Sequence, residues 1–183
     1  MNVQTMTILG GFRMLNNKIA ELVNTQINKE FYSAYLYLGF STWFEDAGLS
    51  GFANWYNVQA QEERDHAMLF LKYLQNNGGR PNLEAIDCPN QNFENPRDVL
   101  EAGMNHEEYV TSLVHNLYDA AFQQKDFRTM QFLDWFVKEQ GEEEKNADDL
   151  LKRWDLFGGD PKALYMLDSE LAARVYSAPS LVL

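Results

Sequence analysis

The stretch NWYNVQAQEERDHAMLFLKYL, residues 54–74, decides the fold. Extended back by two residues, it sets Phe52, Tyr56, Gln59, Glu63, His66, Phe70 and Tyr73 at alternating steps of four and three. A helix of 3.6 residues per turn gathers such positions onto one face. That face is aromatic at both ends and polar in the middle, where Glu63 and His66, three residues apart, can aim at a common point.

Working outward, the turn DAGLSG (46–51) precedes this helix, with Ser50 as the expected N-cap. Before the turn, residues from about 15 to 45 contain one glycine and no proline, and carry the stripe Ile19, Val23, Gln26, Glu30, Ala34, Tyr37, Ser41. After the helix, Gly78-Gly79 opens an irregular stretch to about residue 95. So long a connection is uncommon in a compact helical protein. It suits a crossover spanning the bundle, so that the second and third helices run the same way. Asn95-Pro96 then sets a capping side chain before a proline at the first helical position.

The third helix bears Leu100, Met104, Glu107, Val110, Val114, Tyr118 and Ala121. Asp126 caps a fourth, with Leu133, Phe136, Gln140, Glu143, Ala147, Leu150 and Trp154 on one side and Gly158-Gly159 at its end. Asp160-Pro161 starts a short fifth helix, followed by an apolar tail. Helices near 30 residues are about 45 Å long. No alternation of period two persists. The expected architecture is all-α: an up-down four-helix bundle with one long crossover and a short appended helix.

Composition bounds the function. The 183 residues suffice for one domain with a full core. Lys plus Arg number 15 against 27 for Asp plus Glu, a formal net charge of -12. Such a chain is repelled by phosphate backbones and anionic lipid, so nucleic acid and membranes are not expected partners, whereas small cations are. The single cysteine, Cys88, builds neither an internal disulfide nor a four-cysteine metal site. No apolar run approaches 18 residues, and MNVQTMTILGGFR lacks the pattern of a secretory signal. A cytoplasmic location is expected.

Each long stripe is apolar or aromatic until its middle, where it holds residues foreign to a core: Glu30, Glu63 with His66, Glu107, and Gln140 with Glu143. A lone ionised carboxylate costs several kcal/mol to bury, so it takes up a proton or a cation. The adjacent basic residues, Lys29 and Arg64, sit off the stripes. One or two metal dications would supply the missing charge, and carboxylates with one imidazole suit iron better than structural zinc. A single Glu-x-x-His arises by chance in many helices. Acids at mid-stripe on all four helices are harder to dismiss. His106 and His115 do not join the central layer and are expected to be surface or internally satisfied residues.

With these residues in view, the chain resembles the ferritin family, specifically the non-haem bacterial ferritins. The resemblance is carried by INKEFYSAYLYL (27–38), residues 54–74, NHEEYVTSLV (105–114), FLDWFVKEQGEEEKNADDLL (132–151) and LYMLDSELAAR (164–174). It begins near Met14, leaving residues 1–13 as a flexible extension, 14–176 as the bundle with its fifth helix, and 177–183 as a tail. The resemblance implies Glu30, Glu63 and His66 as ligands of a first iron, and Glu63, Glu107 and Glu143 as ligands of a second, with Glu63 bridging. It implies that Gln140 positions oxygen or water beside the pair. It also implies that Tyr37 is an electron donor and that Glu62, Glu139 and Glu142, with shared Glu143, form a third iron site.

The chain also departs from related families. Its last long helix carries Gln140-x-x-Glu143 with Asn146, not a second Glu-x-x-His. Arg64 stands where bacterioferritins place a haem-binding methionine, so no haem is expected. Met130 and Leu133 align with the acidic pore pairs of animal ferritins, which leaves the route of iron uptake open.

The function implied is iron storage and detoxification. Fe(II) would be oxidised by O2 or peroxide at a di-iron ferroxidase centre and stored as ferric mineral inside a hollow 24-subunit cage. The main alternative is a soluble di-iron redox enzyme without mineral storage, and a third is a structural cage subunit that binds no metal.

Overall fold

The computed structural model describes residues 15–183, so the expectation for residues 1–13 lies outside it. Five helices follow in order: α1 (Asn17–Asp46), α2 (Ser50–Asn76), α3 (Pro96–Gln123), α4 (Phe127–Phe157) and α5 (Pro161–Leu171). No strand occurs among the described residues. Helix α1 packs on α2, α3 on α4, and α1 on α3, while α5 lies across α2 and α4. No described helix is long and apolar enough to cross a membrane.

The helix starts follow the capping logic of the sequence. The side chains of Asn16, Asn95, Asp126 and Asp160 accept from the backbone amides of Lys18, Asp98, Thr129 and Lys162. Each satisfies one of the donors a helix start leaves unpaired. Helix α2 is the exception. Ser50 is already its first helical residue, and no side chain caps it locally from Leu49. Instead, Oδ1 of Asp168 on α5 accepts from the amides of Gly51 at 2.8 Å and Phe52 at 3.1 Å. The expected Ser50 cap is thus replaced by one from another helix, more than a hundred residues on. The approach is so close that a Cβ on Gly51 would lie 1.7 Å from the Asp168 carbonyl oxygen.

The crossover between α2 and α3 is anchored along α1. Asn24 exchanges two hydrogen bonds with the backbone of Asn82, and Asn28 donates to the carbonyl of Ala85. Further on, Phe93 packs edge-on against Phe40 and Trp43. Its attachments therefore climb α1 from residue 24 to residue 43, about 28 Å at 1.5 Å per residue. This length lets α2 and α3 run the same way.

The core has two apolar halves. One gathers Ile19, Val23, Ile27, Phe70, Leu74, Val114, Leu117, Leu133 and Phe136. The other gathers Leu36, Phe40, Phe44, Phe52, Tyr56, Val99, Leu100, Leu150 and Leu167. Between them lies a buried polar layer: Gln26, Glu30 and Ser33 from α1, Gln59, Glu63 and His66 from α2, Glu107 from α3, and Gln140 and Glu143 from α4.

Candidate metal centre

Glu30, Glu63, His66, Glu107, Gln140 and Glu143 are each at most 5% exposed. Mid-helix positions leave their backbones fully bonded within the helices, so only the side chains need partners. Among the described residues no Lys or Arg is ion-paired with any of these four glutamates. Lys29 lies over the Tyr109 ring, and Arg64 turns to Asp65 on the outer surface.

The tightest grouping is Glu30, Glu63 and His66, whose ligand atoms all lie within 4.8 Å of one another. Gln26, one turn before Glu30, donates to its Oε1 at 2.8 Å. Oε2 of Glu63 lies 3.6 Å from Nδ1 of His66. The other oxygens, Oε2 of Glu30 and Oε1 of Glu63, are buried and accept no hydrogen bond. A buried acceptor with no donor carries its whole desolvation cost, and two carboxylates with such an oxygen, grouped with one imidazole, make a site for a cation.

The remaining acids lie beside this group. The Tyr37 hydroxyl donates to Oε1 of Glu107, and Nε2 of Gln140 donates to Oε2 of the same carboxylate at 3.3 Å and to Thr111. Gln59 donates to Oε2 of Glu143 at 2.8 Å. A cavity of about 20 Å³, lined by Tyr37, Tyr56, Gln59, Glu107 and Glu143 among others, adjoins the two carboxylates. It has room for one small molecule the size of water or dioxygen.

Burial and mutual repulsion dominate the electrostatics. Glu30 is pushed up to about 8, first by burial and then by the Glu63 charge, with His66 and Gln26 opposing. Burial, then Glu107 and Glu143, hold Glu63 well above the usual carboxylate range. Glu107 is raised to about 8 by burial and Glu143, against the hydrogen bonds of Tyr37 and Gln140. Burial, then the Glu107 charge, raises the Tyr37 hydroxyl, which stays a neutral donor. Without a cation, this layer keeps protons at neutral pH that carboxylates in water have lost.

Glu62, Glu139 and Glu142 lie outside this layer. Glu62 is half-buried and ion-paired with Arg174, and burial raises it to about 7. Glu139 is half-buried and also raised by burial. Glu142 is exposed and paired with Lys138 at 3.1 Å. His106 is half-buried at the edge of the layer, satisfied by Oγ of Ser33 at 2.8 Å and not grouped with the acids, and His115 is exposed.

Gln26, Gln59, Thr111 and Arg174 also serve the layer, though none is a candidate from the sequence. Gln26 and Gln59 each precede a layer glutamate by four residues on the same stripe, a signal visible in the sequence. Arg174 reaches the layer through a distant contact that no local pattern announces.

Four antiparallel-paired helices around a central layer of carboxylates and one histidine define a ferritin-like protein. Residues 20–157 match the family described as "Ferritin-like domain", and the chain belongs to that family. Bacterial non-heme ferritins from Staphylococcus saprophyticus and Campylobacter jejuni are each 36% identical to it, over 89% and 85% of this chain and 98% and 93% of theirs. The fold also matches a closed form of Archaeoglobus fulgidus ferritin engineered by site-directed mutagenesis, with TM-score 0.87 and 43% identity over 89% of this chain and 99% of that one. The open pore ferritin of the same archaeon superimposes with TM-score 0.86 at 43% identity, covering 88% and 98%.

Proposed function

We propose that this chain is an iron-storage ferroxidase whose substrate, Fe(II), binds within the buried carboxylate layer. The observation that carries the proposal is the grouping of Glu30, Glu63 and His66, with a buried, unpartnered oxygen on each carboxylate, in a layer whose glutamates are ion-paired with no Lys or Arg among the described residues. In this reading Glu30, Glu63 and His66 hold one iron, and Glu63, Glu107 and Glu143 hold a second, with Glu63 shared. Two Fe(II) ions each give up one electron to O2, which takes up two protons and leaves as hydrogen peroxide. With peroxide as oxidant, the products are Fe(III) and water. The added positive charge is stabilised by carboxylates already fixed in place.

Gln140 holds Glu107 and is read as positioning oxygen or water beside the pair, and a small cavity adjoins Glu107 and Glu143 on the side of Tyr37. Tyr37 lies against Glu107 as a candidate electron donor. Glu62, Glu139 and Glu142, with Glu143, are read as a third iron site, at which iron must compete with Arg174 and Lys138 for two of the acids. The Fe(III) product passes to a mineral inside a cage of 24 such subunits, and the location is cytoplasmic. Residues 14–176 form the working unit, with 1–13 as an extension.

Aerobic addition of Fe(II) with stopped-flow absorbance tests the chemistry. A fast oxidation phase is expected in the wild type and is lost in Glu63→Ala. An unchanged fast phase in that variant contradicts the assigned centre. Size-exclusion chromatography separates a cage from the small oligomer expected of a non-storing di-iron enzyme.

A further inference from the structure

Beyond α5 the chain turns back along α2. Asn54 donates to the carbonyls of Leu171 at 3.2 Å and Arg174 at 2.9 Å, and the Tyr176 hydroxyl donates to Asp65. Nε1 of Trp135 donates to Ser180 at 3.0 Å, and Leu181 packs against the core. Arg174 is the pivot of this segment. Its guanidinium lies 4.0 Å over the Trp55 ring, Nη1 donates to the Trp55 carbonyl, and Nη2 donates to Glu62 and to Oε1 of Gln59. The side chain is 18% exposed, a low figure for an arginine.

A guanidinium has donors only, so the amide of Gln59 must turn its oxygen to Arg174. The amide nitrogen then faces the layer, where it donates to Oε2 of Glu143 at 2.8 Å. Glu143 and Arg174 thus hold the amide from its two ends, and without Arg174 the oxygen loses the donor that keeps the Gln59 side chain in place beside the carboxylate. We propose that Arg174 is a positioning residue of the metal centre, acting through Gln59 to orient the Glu143 carboxylate and tying the last segment of the chain to the second metal position. This rests on the reading of the layer as a paired metal site. Groups that hold a ligand in place are typically worth about ten- to a hundredfold in metal affinity or activity.

Co(II) titration of the full-length protein, followed through the visible d–d bands, tests the relay without turnover. Arg174→Ala and Gln59→Met should each weaken the second Co(II) about tenfold and change its band envelope, leaving the first ion in place. Because both act through one contact, the double variant should be no weaker than the worse single one. The relay is overturned if Arg174→Ala keeps the second constant within about twofold, or if the two losses multiply. Wild-type protein that takes up no paired Co(II) would overturn the metal-centre reading and the relay with it. Paired uptake that Arg174→Ala leaves unaltered would overturn the relay alone.

Discussion

Tyr37 on α1 donates its hydroxyl hydrogen bond to Oε1 of Glu107 on α3, while Gln140 on α4 holds the other oxygen of that carboxylate. One acid therefore joins three helices, and its orientation is set before any metal arrives. Tyr37→Phe keeps the ring that packs on Phe40 and Tyr56 but frees Oε1 of Glu107. Stability should fall by only about 1 kcal/mol in thermal unfolding. The fast Fe(II) oxidation phase should slow about tenfold, as expected when a ligand loses its orienting partner. An unaltered rate would remove Tyr37 from the centre.

The buried acids predict how stability without metal depends on pH. Glu30 and Glu107 bind protons in the folded protein up to about pH 8, against a value of 4.5 when unfolded. The folded state therefore holds more protons than the unfolded chain between these values, and stability falls as pH rises through that window. Thermal melts of metal-free protein should show a higher Tm at pH 6 than at pH 8. A Tm that climbs across this interval would mean that the layer is already ionised.

The same protons must leave when metal binds. Calorimetric titration with Co(II) at pH 7, repeated in buffers of different ionisation enthalpy, should show proton release of about one or more per subunit. Heat independent of the buffer would contradict the protonated layer.

Neutralising the layer should separate stability from function. Glu30→Gln with Glu63→Gln keeps the volume of two buried carboxyl groups that hold their protons at neutral pH, and removes the cost of ionising them. The metal-free double variant should melt no lower than the wild type and gain no stability from added Co(II). A variant still stabilised by Co(II) would place the binding elsewhere.

Much of this was legible because helical spacing is local. The steps through Glu30, Glu63, His66, Glu107, Gln140 and Glu143 placed each residue among apolar neighbours on its own stripe, and the fold buries all six. What failed was nonlocal. Ser50 has the right chemistry for a cap, but α5 supplies Asp168 instead, and only tertiary packing determines that. Glu62 and Glu63 are adjacent in sequence, yet the helix turns one outward to Arg174 and the other into the layer. Nothing in the spacing of Arg174 points to Gln59.

The α5 cap offers a test confined to the fold. Asp168→Ala should cost about 1 kcal/mol by leaving the first amides of α2 unpaired. Gly51→Ala forces a methyl group into the Asp168 backbone and should cost about 2–3 kcal/mol in chemical denaturation, in the range of overpacking. Equal stability of Gly51→Ala and wild type would mean that α5 is free to move away.

The proposed function requires each subunit to hold paired iron within the mid-bundle layer. Diffraction at the iron edge from crystals soaked anaerobically in Fe(II) tests it most directly. Two anomalous peaks a few ångströms apart are expected, one among Glu30, Glu63 and His66 and the other among Glu63, Glu107 and Glu143. Iron-loaded crystals whose peaks lie only on the acidic surface, with none inside the bundle, would contradict it.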